Sequence, residues 1–205
     1  DGGKKAYITL RGGGLFIVDV SNTPMRVVKS YNKDEVAPAG CGGIATGKKI
    51  YVNSGTATSS NLYVFDSSND NLIKHIDVSG IGNDGHGLVL TGKGRYLWMG
   101  NRASGNIVVV DTKSDSIVGT ISDVGKAPDI MDISPDGERV FVALRGPNNL
   151  TGGAVAKGER PGMAVMRVKD GGASGSREKF IPLGDQTPQS PNDPHGLAVR
   201  ILRHR

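Results

Sequence analysis

The sequence predicts an all-β chain, a β-propeller built from four-stranded antiparallel blades, and three observations predict it. Short apolar runs alternate with Gly, Asn, Asp and Ser clusters, the pattern of strands joined by tight turns. No stretch sustains an apolar repeat of helical period. The four-run pattern recurs at roughly 40 to 50 residues, the spacing of propeller and solenoid repeats.

The clearest unit runs from Gly85 to Asp129, with expected strands at Leu88–Leu90, Tyr96–Met99, Ile107–Val110 and Ile117–Ile121. Ahead of it, a first blade (about 1–40) opens on the turn Asp1-Gly2-Gly3-Lys4 and has runs at Ala6–Leu10, Leu15–Val20 and Arg26–Tyr31, so its innermost strand is missing. A second blade (41–84) has runs near Ile44, Ile50–Asn53, Leu62–Phe65 and Leu72–Val78. The fourth (130–193) begins IMDISPDGERVFVAL and departs at the Gly/Pro/Asn-rich insertion Gly146–Arg160, expected as a long loop. Its later strands are expected at Met163–Val168 and Lys179–Leu183, ahead of a linker, Gly184–Pro194.

The ending HGLAVRIL matches the start of the third blade, so residues 194–205 read as another innermost strand. A first strand missing at one end and supplied at the other would close a ring and remove exposed sheet edges. Four blades is the low end for propellers, so a segment of a larger ring, or a half-ring completed by a second chain, stands beside that expectation.

Composition agrees. With 31 glycines and 37% apolar residues, the chain of 205 favours short strands and tight turns over helices. Its single cysteine excludes an intrachain disulfide framework and an all-cysteine metal knuckle. The net charge of +5 favours anionic partners mildly, while bases interspersed with acids, without aromatic interleaving, argue against nucleic acid. No apolar run approaches the roughly 18 residues of a membrane span. The start DGGKKAYITL has no signal pattern, which leaves a cytoplasmic, processed or truncated chain.

The segments KKIYVNSG, RYLWMGNRASGNIVVVDT and SPDGERVFVAL resemble the YVTN family of β-propeller repeats, over nearly the whole chain except the insertion and the linker. The resemblance implies the propeller fold and favours a periplasmic or extracellular location. Related propellers include redox-enzyme subunits, some of which hold a tetrapyrrole over the central channel.

Repeat register also yields candidate sites. Aligning Trp98 with Phe141 places His86 on Asp129; Pro194-His195 matches Pro128-Asp129; and CGGIATG on HGLVLTG places Cys41 on His86. Cys41, His86, Asp129 and His195 thus start innermost strands, which line a propeller's channel, and are expected to ring one mouth of it. Thiolate, imidazole and carboxylate could ligate a transition metal, copper or zinc over magnesium or calcium, serve a haem-type tetrapyrrole, or perform acid/base chemistry. The plainer alternative is turn capping and hydrogen bonding to the next blade.

Four residues beyond Tyr7, Trp98 and Phe141 stand Arg11, Arg102 and Arg145, whose planar forks suit a carboxylate or phosphate ligand, or acidic residues of an adjacent blade. Tyr7, Tyr51, Trp98 and Phe141 are expected to pack between blades, and Asp19, Asp66 and Asp111 to form turns. His75 is expected on a solvated outer strand and His204 in a basic tail. These readings favour a non-catalytic propeller binding a protein partner or small anionic ligand on its channel face. The alternatives are a metal- or tetrapyrrole-dependent enzyme or redox accessory protein, and an oligomeric assembly or surface-layer module.

Overall fold

The computed structural model describes residues 3–200 and contains fifteen strands in four antiparallel sheets. Blade one holds β1 (Lys5–Thr9), β2 (Leu15–Asp19) and β3 (Arg26–Tyr31). Blade two holds β4 (Gly43–Thr46), β5 (Lys49–Thr56), β6 (Ser59–Asp66) and β7 (Leu72–Asp77). Blade three is β8 (Gly85–Thr91), β9 (Tyr96–Asn101), β10 (Asn106–Asp111) and β11 (Ser116–Ile121). Blade four is β12 (Pro128–Ile133), β13 (Arg139–Leu144), β14 (Gly162–Lys169) and β15 (Ser174–Pro182). Each sheet is an up-and-down meander, and no helix among the described residues is long and apolar enough to cross a membrane.

Strand alternation explains how the blades stack. In β10, Ile107 and Val109 enter the core shared with blade four, whereas Val108 and Val110 enter the core shared with blade two. Successive side chains point to opposite faces, so a sheet covered on both sides needs an unbroken apolar run. All four are fully buried, each worth roughly 1.5–3 kcal/mol over exposure. Trp98 follows the same rule, facing blade four between Leu97 and Met99, which face blade two.

Side-chain latches join the blades at the aromatic positions. The Tyr7 hydroxyl donates to Asp70 at 2.7 Å and Lys5 pairs with the same carboxylate at 2.8 Å. One blade on, Tyr51 donates to Asp115 at 2.5 Å and Lys49 pairs with it at 2.6 Å. Trp98 Nε1 continues the series, donating to the Gly172 carbonyl at 2.8 Å. Burial and the neighbouring carboxylates raise both phenol pKa values above the ordinary range, so the hydroxyls stay protonated donors. The expected inter-blade packing is therefore observed for Tyr7, Tyr51 and Trp98, with a hydrogen bond added, whereas Phe141 is half-buried and stands outside the three buried clusters. Asp19, Asp66 and Asp111 form the expected turns, each accepting backbone N–H bonds from residues just after it.

Two expectations are corrected. Residues 191–200 carry no strand and leave blade one three-stranded. Instead of crossing to β1, this segment follows β12: His195 Nδ1 lies 3.0 Å from Asp129, and the Val199 amide donates to Asp132 at 2.7 Å. It thus occupies the position that the innermost strand of a next blade would take. The remainder of the expected closing strand, with His204, lies outside the described residues. Second, β15 begins at Ser174, well before the expected Lys179, because a glycine-rich stretch reads as a turn. A Cβ at Gly175 would stand 2.5 Å from the Trp98 ring, so the strand is glycine-rich where it passes the indole.

Blade one also presents an uncovered apolar face. Leu15 and Ile17 are buried against blade two, whereas Ile8 and its cross-strand partner Phe16 are exposed, as are Val27 and Val28. A propeller blade normally meets a neighbour on such a face.

Candidate functional site

The starts of the innermost strands do converge. Close blade-to-blade approach requires small residues just after the site positions: a Cβ on Gly42 would lie 2.8 Å from the His86 carbonyl oxygen, and one on Gly87 2.1 Å from that of Asp129. Asn53, fully buried on β5, ties two of these starts together. Its Oδ1 accepts from the Gly42 amide at 2.7 Å and the Cys41 amide at 3.4 Å, while its Nδ2 donates to the His86 carbonyl.

Asp129 is the centre. It is fully buried, with His86 Nε2 at 2.8 Å, Arg145 Nη1 at 2.8 Å, His195 Nδ1 at 3.0 Å and Arg102 Nη1 at 3.7 Å. Burial opposes ionisation, but His86, Arg145 and His195 more than offset it and hold the carboxyl at about 2. For His86, burial likewise disfavours the charge, yet Asp129 and Cys41 push the imidazole up to about 9. The 2.8 Å approach of Nε2 to Asp129 Oδ1 lies outside hydrogen-bond angles, so this is an ion-pair contact, and both buried imidazole nitrogens lack a hydrogen bond among the described residues. His195 Nδ1 can donate to Asp129 when protonated or accept from Arg145 when not.

The arginines divide. Arg145, predicted as an anion ligand, is completely buried and committed: it forks onto Asp193 with two 2.6 Å bonds, donates to Asp129, and reaches Thr151. Arg102 forks onto Asp84 at 2.8 and 3.1 Å, leaving Nη1 toward Asp129. These two therefore serve the acidic-partner alternative, and Arg145 has no surface with which to meet a ligand. Arg11 is exposed and makes no ion pair among the described residues. Asn53, Asp84 and Asp193 were missed by sequence; the signal available was that Asn53 stands two residues after Tyr51, as Thr9 stands after Tyr7, and Thr9 bonds the segment leading into the next blade, at Gly40.

Above this network is a cavity of about 580 Å³, lined by Arg11, Cys41, Asp84, His86, Arg102 and His195 together with Gly55–Ala57 and the insertion residues Thr151–Gly153 and Val155. The insertion folds against the channel face, burying Ala156 and closing its base through Gly158 N–H to the Gly146 carbonyl at 2.9 Å.

Of the four predicted metal ligands, His86, Asp129 and His195 place donor atoms within 4.8 Å of one another, and Cys41 stands outside that trio. The Arg145 Nη1 atom lies 2.8 Å from Asp129 Oδ2 and 3.0 Å from His195 Nδ1. A permanent cation thus sits beside both donors, so the residues as arranged do not fit a copper or zinc ion. The same contact holds the Nδ1 side of His195 away from a tetrapyrrole iron.

No family model and no curated protein matches the sequence. Solved structures do resemble the fold. A hydrazine synthase chain of Kuenenia stuttgartiensis superposes with a TM-score of 0.68 at 19% identity, over 88% of this chain and 46% of that one. A 6-phosphogluconolactonase-like protein of Bacteroides uniformis gives 0.66 at 13%, over 90% and 56%. A chain of a mitotic checkpoint complex gives 0.67 at 11%, over 89% and 50%. The chain spans about half the length of these structures. At such identities the likeness concerns architecture alone, and with four radially stacked antiparallel sheets the chain has a β-propeller fold.

Proposed function

We propose that the chain is a non-catalytic binding module, a YVTN-like propeller segment that takes a small anionic ligand at the channel mouth, outside the cytoplasm. The observation that carries this reading is the cavity itself: one recess of about 580 Å³ is walled by loops of all four blades, within the range of small-ligand sites. Its charge supports an anion. Arg11 stands at the rim without a carboxylate partner among the described residues, and His86, which lines the same wall, carries a proton at neutral pH. The resemblance of the repeats to exported propellers supports the location.

Calorimetric titration with citrate and with inorganic phosphate tests the reading. Binding of either that weakens about tenfold in Arg11→Ala, the equivalent of about 1.4 kcal/mol, is expected. No binding, or binding indifferent to Arg11, overturns it. So does a stoichiometric metal or haem absorbance that His86→Ala and His195→Ala both abolish.

A further inference from the structure

Cys41 and His86 line one cavity, and His86 in turn contacts Asp129 in the buried network. Cys41 is the chain's single cysteine and is exposed on the cavity wall. His86 is 94% buried, with neither ring nitrogen hydrogen-bonded among the described residues. Nε2 is turned to Asp129 at 2.8 Å, Nδ1 has no hydrogen-bond partner among the described residues, and Cys41 lines the same recess. Asn53 fixes the relative position of the two backbones by binding Cys41 and Gly42 through one end of its amide and His86 through the other. Arg145 and His195 hold Asp129 in turn.

We propose that Cys41 is a nucleophilic thiol poised for exchange with small-molecule disulfides that carry a carboxylate, with protonated His86 stabilising its thiolate and Asp129 orienting His86. The order of roles is thiolate nucleophile, stabilising imidazolium and orienting carboxylate. In the step itself the Cys41 sulfur attacks one sulfur of the disulfide and forms a new S–S bond. The old S–S bond breaks, and its electron pair leaves with the second half as a thiolate. Cys41 is oxidised to a mixed disulfide, and the released half is reduced. The reverse reaction with a free thiol restores it.

The electrostatics agree with the geometry. Interaction with His86, and at longer range with Arg102, outweighs burial and the opposing Asp84 charge, and lowers the Cys41 pKa. Arg11 and His195 are the remaining titratable groups on the cavity wall. The preference for a carboxylate-bearing reagent rests on the anion-binding reading above, whereas the reactivity of the thiol does not.

Because the chain has one sulfhydryl, every thiol signal reports on Cys41. The experiment is the pH–rate profile for two probes, the anionic 5,5′-dithiobis(2-nitrobenzoate) and an uncharged dipyridyl disulfide, with free cysteine run alongside. Expected with both probes is a half-maximal rate at a pH below that of free cysteine. In His86→Gln the profile returns to that of free cysteine, and the rate at pH 6.5 falls about tenfold. Asn53→Ala, which leaves the imidazole in place but releases the backbones, gives the same direction of change and covers the case in which His86→Gln does not fold. A wild-type profile that coincides with free cysteine overturns the proposal, as does a low profile that neither substitution moves. The ratio of anionic to neutral rates reads the other question separately: a ratio equal to that of free cysteine refutes the anion site while leaving the thiol result intact.

Discussion

Replacing Arg145 with methionine tests the buried network most severely. Methionine keeps an unbranched apolar stem in a fully buried position but deletes the paired bonds to Asp193, the bond to Asp129 and the bonds to Thr151. Two carboxylates with side chains 0% and 4% exposed then lose their main cation. Breaking such a buried pair costs about 3–5 kcal/mol, against a total stability of about 5–15 kcal/mol for a domain. With a urea m-value of about 2 kcal/mol/M, the unfolding midpoint should fall by roughly 2 M. A local effect should accompany the global one, because Asp193 also accepts the Leu150 amide at 2.8 Å and so anchors the insertion. Tryptic cleavage at Lys157 should therefore accelerate in the variant under native conditions. A loss below about 1 kcal/mol, with cleavage unchanged, would show that these carboxylates are not held by Arg145 and would refute the reasoning.

Three further outcomes follow from the same contacts. Tyr51→Phe removes a bond to a carboxylate between blades two and three and should cost about 1.5–3 kcal/mol by urea unfolding; a neutral result would mean that the latch contributes nothing. Gly87→Ala puts a methyl group where the Asp129 carbonyl stands 2.1 Å away, so melting should show about 1–3 kcal/mol of destabilisation, and an unchanged Tm would contradict the close approach of β8 and β12. His86 has a folded pKa of about 9 against an ordinary 6.5, so its stabilisation is complete below pH 6.5 and is lost as pH rises through 9. The loss is on the order of 3 kcal/mol and should vanish in His86→Gln. Asp129, held at about 2, contributes in the opposite sense, with stability present above pH 3.8 and lost as pH falls through 2.

Much of the fold was legible because it is local. Turn residues and alternating runs specify each meander, and a fully covered sheet shows itself in the unbroken Ile107–Val110 run. The convergence of His86, Asp129 and His195 was legible because equivalent register positions share one radius in a propeller. The fate of the arginines was not: Asp84 and Asp193 share one repeat position, two residues before His86 and His195, but alignment shows which positions match and not which side chains pair. Residues 194–200 illustrate a second limit. An innermost-strand pattern fits the open edge of blade one and the place beside β12 equally well, and only the contacts of His195 and Val199 distinguish them. Ser174–Gly175 failed for a third reason: glycine there makes room for Trp98 of another blade, which local propensity cannot register.

The central claim is that side chains far apart in the chain, brought by separate blades, share one buried charge network centred on Asp129. Long-range proton–nitrogen NMR of ¹⁵N-histidine-labelled protein measures it directly, with four histidines to assign. The account predicts that the His86 imidazole titrates near pH 9 and that Asp129→Asn, checked for retained fold, draws this midpoint sharply down. A His86 midpoint at the ordinary 6.5 in the wild-type chain, unmoved by Asp129→Asn, would contradict it.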